Sequence, residues 1–85
     1  MYTVYILFSS ELIKYYVGFT STDINDRLYK HLHSNKGFTS KVKDWKLLYT
    51  ETYDNKLSAI KREKEIKNWK SAVRISMLIN NHTTE

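Results

Sequence analysis

The chain has 85 residues, enough for one compact domain and too few for two. Its net charge is +5, from 14 Lys and Arg against 9 Asp and Glu, and this surplus suits a polyanionic partner. Without cysteine, the chain has neither disulfides nor thiolate metal sites, and with 41% hydrophobic residues it does not have a disordered composition.

Localisation is predicted from what the sequence lacks. No apolar run approaches the roughly 20 residues that a membrane-spanning helix needs. The N-terminus has neither the basic segment nor the cleavage site of a signal peptide. We therefore expect a cytoplasmic protein with no membrane partner, and the absence of cysteine is compatible with that compartment.

Two β-strands are predicted at the start of the chain. Residues 2–8 and 14–20 are rich in β-branched and aromatic side chains. The short polar connection Ser9-Ser10-Glu11 predicts that the two strands form an antiparallel hairpin.

Each of these strands carries a tyrosine of interest. Because side chains alternate along a strand, Tyr16 shares a face with Gly18, which lies two residues further on. Gly18 leaves that face without a side chain, so a ligand or another backbone has room to approach. The alternative is that Tyr5 and Tyr16 are there simply because tyrosine suits strands.

A helix is predicted next, capped by Thr22 or Asp23 and ending near Gly37. Its apolar stripe consists of Ile24, Leu28 and Leu32. Arg27 and His31 are one turn apart and border this stripe, so the arginine is suited to bind a phosphate from beside a buried face. An ordinary surface arginine is the alternative.

The rest of the chain predicts one strand and two helices. After a polar, lysine-bearing connection, residues 45–53 alternate as a strand, with Trp45, Leu47, Tyr49 and Glu51 on one face. Helices are expected over 56–69 and 72–79. The predicted fold is an α+β domain, a three-stranded antiparallel sheet flanked by helices in the order β-β-α-β-α-α.

Glu63 is the local anomaly of the second predicted helix. It lies within an apolar arc that includes Ala59 and Ile66, and a buried carboxylate is costly unless it is paired or bound to a cation. Lys67 is four residues further on and can form an ion pair with it. The other interpretation is a ligand for a hard divalent cation, which prefers oxygen donors.

Taken in order, these residues resemble a known family. Tyr5, the segment Tyr16-Val17-Gly18, Arg27 with His31, and then Glu63 are similar to the motifs of the GIY-YIG nuclease superfamily. The chain most resembles the small single-domain bacterial members, which are similar to the nuclease domain of the excinuclease C subunit.

The resemblance implies a nuclease domain, which we assign to residues 1–79, and the polar residues 80–85 are expected to be a frayed tail. It implies metal-dependent hydrolysis of phosphodiester bonds. In this comparison Tyr5 and Tyr16 are active-site tyrosines, Arg27 binds the phosphate and His31 assists. Glu63 is the ligand of a single Mg²⁺ or Mn²⁺ ion.

The implied partner is nucleic acid, with DNA expected, in repair or processing. Basic side chains are expected to contact it, namely Lys36, Lys41, Lys43, Lys46, Lys61, Arg62 and Lys67. Two alternatives stay open. One is a non-catalytic module that binds nucleic acid through phosphate contacts alone, and the other is a small adaptor that docks on a repair protein.

Overall fold

The structure is a computed structural model and describes residues 1–33 and 41–83. Its elements in chain order are β1 (Tyr2–Ser9), β2 (Lys14–Thr20), α1 (Ile24–His33), β3 (Lys46–Tyr53), α2 (Lys56–Trp69) and α3 (Ala72–Thr83). The three strands form one antiparallel sheet in the order β2-β1-β3. This confirms the predicted α+β class and element order.

The helix ends agree with most of the predicted bounds. α2 has the predicted limits, because the Asn55 side chain caps its start by accepting from the Ser58 N–H at 2.8 Å. Lys70, with φ of 49°, ends it in the left-handed conformation. α3 continues to Thr83 rather than ending at residue 79, so the helix includes residues 80–83.

α1 begins as predicted. The Asp23 carboxylate accepts from the Asn25 N–H at 2.7 Å, which identifies Asp23 rather than Thr22 as the cap. The predicted end near Gly37 lies outside the described residues. None of the helices in the described ranges is long and apolar enough to cross a membrane.

Strand β1 is central, and its middle residues are buried on both faces. Val4 and Ile6 point to the face covered by α2 and α3, and Tyr5 and Leu7 point to the face covered by α1; all four side chains are inaccessible to solvent. Two apolar cores therefore share one strand. The α1-side core also contains Val42, Trp45, Ile24, Leu28 and Leu32.

A β-bulge in β3 overturns one sequence-based expectation. Ile6 pairs with Tyr49 but Leu7 pairs with Leu47, so Leu48 is an extra residue in the ladder. Leu47 consequently faces the α1-side core, whereas Tyr49 belongs to the α2-side core. The predicted common face for Leu47 and Tyr49 is wrong, because a period of two does not survive an inserted residue.

Candidate active site

A hydrogen-bonded chain of three side chains links β1 to α1. Arg27 Nε donates to Tyr5 Oη at 3.2 Å, and Tyr5 Oη lies 2.7 Å from His31 Nε2. Arg27 Nε has only an N–H to offer, so Tyr5 Oη is the acceptor in that bond. The tautomer of His31 sets which atom donates in the Tyr5–His31 bond, since both Tyr5 Oη and a ring nitrogen can either donate or accept.

Burial controls the protonation of this chain. Burial raises the pKa of Tyr5 above its ordinary value of 10.0, although the hydrogen bond and charge of Arg27 act in the opposite direction. Burial and the charge of Arg27 lower the pKa of His31 below 6.5. At neutral pH the site therefore contains a neutral phenol, a neutral imidazole and a guanidinium.

Tyr16 and Gly18 complete this cluster from the neighbouring strand. Gly18 is the cross-strand partner of Tyr5, and a Cβ on Gly18 would lie 2.6 Å from Tyr5 Oη and 2.8 Å from its Cζ. The space beside Gly18 thus holds the Tyr5 ring, not a ligand or a backbone segment. Tyr16 packs edge-on to the ring of His31 at a centroid distance of 5.0 Å.

Glu63 is carried by α2, which packs on the face of the sheet opposite to α1. Arg27 of α1 and Lys56 of α2 nevertheless line one cavity. Glu63 follows Lys56 by seven residues, almost two full turns, so it lies on the same side of α2 but about 10 Å further along the helix. Its negative charge is one of the causes that raise the pKa of Tyr5.

Glu63 has the surroundings of a candidate cation ligand. Its side chain is 15% exposed, and its ion-pair partner is the predicted one, Lys67, with Nζ 3.5 Å from Oε2. No three carboxylate or imidazole groups meet within the described ranges. A lone carboxylate suits Mg²⁺, which keeps several waters and takes other ligands from a phosphate. The residues present therefore fit a single divalent ion.

The predicted nucleic-acid contacts differ in what they do in the fold. Arg62 is held by Glu51 and Glu65 and lies over the ring of Trp69, so its guanidinium is engaged inside the protein. Lys67 pairs with Glu63. The exposed members are Lys41, Lys43, Lys46 and Lys61, and Lys36 lies outside the described residues.

A carboxylate on β3 was missed by the sequence analysis. Glu51 accepts hydrogen bonds from the hydroxyls of Tyr49 and Tyr53 and from Arg62 Nε, the last at 3.0 Å. Burial raises the pKa of Glu51, but these hydrogen bonds outweigh burial and hold it below 4.5. The sequence does contain a signal for this carboxylate. Tyrosines lie two residues before and two residues after the glutamate in the strand, so the three side chains share one face.

Comparison with protein families identifies the class to which this chain belongs. The model of the GIY-YIG catalytic domain matches residues 1–78 of the 85 residues, so the chain belongs to this family of nucleic-acid-cutting domains. A nuclease-type function is thereby indicated. No curated protein and no solved structure showed significant similarity.

Proposed function

We propose that this chain is a metal-dependent endonuclease that hydrolyses phosphodiester bonds, with DNA as its substrate in repair or processing. The observation that carries the proposal is the Arg27–Tyr5–His31 chain of hydrogen bonds between β1 and α1. Hydrolysis needs a group that binds the phosphate, a group that takes a proton from water, and charge to stabilise the leaving oxygen.

Arg27 is proposed to bind the scissile phosphate. Its Nε is held by Tyr5, and its two terminal nitrogens make no hydrogen bond to other described residues. A guanidinium with two free donors can bind two phosphate oxygens at once. The hydrogen bond to Tyr5 raises the pKa of Arg27 above its ordinary value, so the charge is permanent.

Tyr5 and His31 are proposed to move the proton together. Because burial raises the pKa of Tyr5, a preformed phenolate is not available at neutral pH. Tyr5 instead accepts the proton of the attacking water while it passes its own proton to neutral His31. Tyr5 is fully buried, so we propose that phosphate binding draws Arg27 outward and admits the water.

Glu63 is the residue proposed to hold the cation. A bound Mg²⁺ or Mn²⁺ ion would supply positive charge to the phosphate and to the leaving oxygen. Tyr16, which packs on His31, is proposed to keep the imidazole ring in position.

The test is cleavage of single-stranded, duplex and branched DNA and RNA, with Mg²⁺, with Mn²⁺ or with chelator. Glu63→Gln should abolish metal-dependent cleavage while nucleic-acid binding persists. Glu65→Gln is the matched control, because Glu65 lies two residues away with an exposed side chain. Arg27→Ala should lose ~10²–10³ in rate, as is typical for one electrostatic stabiliser, and some affinity.

Two results would count against the proposal. A wild-type protein that binds nucleic acid but cuts none in either metal would be the non-catalytic binding module. Full activity in Glu63→Gln would show that this carboxylate serves only as the ion-pair partner of Lys67.

A further inference from the structure

A cavity of about 350 Å³ opens where β1 begins and β2 ends. Its lining includes three cations, Arg27, Lys30 and Lys56, and two aromatic side chains, Tyr2 and Phe19. No acidic residue of the described ranges lines it. A concave surface with this charge attracts anions, and none of the roles proposed above uses Lys30 or Lys56.

The cavity is continuous with the candidate active site through Arg27. The Nε of this residue donates to Tyr5, and the same side chain forms part of the cavity wall. Lys30 follows Arg27 by three residues, so their Cβ atoms lie about 5–6 Å apart on one surface of α1. Lys56 approaches from the first turn of α2. Anionic groups bound at Arg27 and in the cavity are therefore neighbours.

The floor of the cavity is an ordered turn. The hydroxyl of Thr20 accepts from the Thr22 N–H at 3.1 Å and bonds the Thr22 hydroxyl at 2.8 Å. Ser21, between them, is exposed. Hydroxyl groups therefore lie beside the lysines, and such groups are common donors to phosphate.

The volume of the cavity and its aromatic lining indicate which kind of anion it binds. The volume is at the lower end of the ~300–1,000 Å³ typical of small-ligand pockets, so it suits one nucleotide and not a double helix. Basic side chains interleaved with aromatic ones are typical of surfaces that bind unpaired strands, because every base has a face that can stack.

We propose that this cavity is a subsite for one unpaired nucleotide next to the scissile phosphate. Lys30 and Lys56 bind its phosphate, and its base packs against Phe19 and Tyr2. The inference rests on the proposed function for its position in the substrate. It adds a substrate class, namely strands with an unpaired nucleotide beside the bond that is cut, in DNA or RNA.

The experiment measures binding of the full chain in chelator, so that no cleavage occurs. Labelled single strands of DNA and of RNA are titrated at several salt concentrations, alongside a duplex and an abasic strand of equal length. The single strands should bind more tightly than the duplex. The abasic strand should bind about fivefold or more weakly, since stacking on aromatic side chains is sequence-tolerant but needs a base.

Variants that remove the charges of Lys30 and Lys56 test whether these lysines contact the phosphate. Lys30→Gln/Lys56→Gln should reduce the slope of log affinity against log salt by about 0.7, the value for one phosphate of a single strand. Lys14→Gln is the matched control, because Lys14 is exposed and begins β2 at the opposite end of that strand. It should leave the slope unchanged.

The outcomes separate this inference from the proposed function. Equal slopes in the cavity variant and the Lys14→Gln control, or equal affinity for duplex and single strand, would overturn the subsite even if the enzyme cuts. The expected binding pattern in a protein that never cuts would support the subsite and overturn the nuclease mechanism. Equal affinity for the DNA and RNA strands would show that the cavity does not read the sugar.

Discussion

Tyr5 is the residue on which the candidate site depends. Its ring lies over Gly18 of the edge strand β2, and its hydroxyl contacts both Arg27 and His31. The same ring is part of the α1-side core and is fully buried. One side chain therefore packs the domain and aligns two polar groups, so changes around it should affect stability and activity together.

Gly18→Ala tests whether displacing the Tyr5 ring affects stability and activity together. The new Cβ would lie 2.6 Å from Tyr5 Oη, so the ring must move or the strands must separate. We expect a loss of about 1–3 kcal/mol in unfolding free energy, typical of overpacking, measured by chemical denaturation. Cleavage should fall by ~10²-fold or more, because small displacements of an aligned group are costly.

A double-mutant cycle gives the control for Gly18→Ala. Tyr5→Phe removes the atom nearest to the new Cβ, so Gly18→Ala should cost less in that background. We expect a coupling free energy above about 0.5 kcal/mol, as for residues in contact. Strictly additive losses would show that the strand itself, and not Tyr5, resists the substitution.

At the scale of elements, an ion-pair network joins α2 to β3. Arg62 binds Glu51 through Nε and Nη2 and binds Glu65 through Nη1. Burial and the hydrogen bonds to Glu51 raise the pKa of Tyr49 and of Tyr53 to about 12, so both phenols stay protonated and donate. Because α2 also carries Glu63, this network fixes the helix that bears the candidate metal ligand.

Glu51→Gln is expected to destabilise the domain by about 2–3 kcal/mol, because it leaves the half-buried Arg62 without its main partner. Glu65→Gln removes a partner of the same arginine, but the Glu65 side chain is 57% exposed. It should therefore cost less than about 1 kcal/mol. An equal loss of unfolding free energy in the two variants would show that the burial of Glu51 does not strengthen its ion pair with Arg62.

The pH dependence of the Glu51 contribution follows from its lowered pKa. The pKa of Glu51 in the folded state is below its ordinary value of 4.5, so its carboxylate contributes its full stabilisation above about pH 4.5. This stabilisation is lost as the pH falls through the folded-state pKa. The difference in unfolding free energy between wild type and Glu51→Gln should therefore narrow between about pH 6 and about pH 3. A constant difference would show that charge is not the cause.

At the scale of the whole molecule, the two cores are coupled through β1. Ile6 belongs to one core and Leu7 to the other, and neither core can lose β1 without exposing the second. A chain of this size should therefore unfold in one cooperative step.

The two tryptophans report on this cooperativity, because Trp45 lies in the α1-side core and Trp69 packs against the α2-side core. In Trp45→Phe and in Trp69→Phe, the fluorescence of the remaining tryptophan should change at the same denaturant concentration as the circular dichroism. The comparison is made within each variant, so its changed stability does not affect the test. Separate transitions would show that the two cores unfold independently.

The sequence by itself determined the elements and most of their limits. Local patterns were sufficient for this, since alternation marks strands and Asp23 is one of the two side-chain caps that the sequence predicted for α1. The order of tyrosines, Arg27 and Glu63 also indicated the family that the comparison confirmed.

Only the tertiary structure decided what those residues touch. The bulge at Leu48, the engagement of Arg62 by Glu51, and the closing of the space beside Gly18 by Tyr5 are all contacts between strands or between helix and sheet. Local sequence does not specify such contacts, because they depend on register and packing between segments far apart in the chain. For the same reason, only the fold brought Lys56 and Arg27 to one cavity from helices on opposite faces of the sheet.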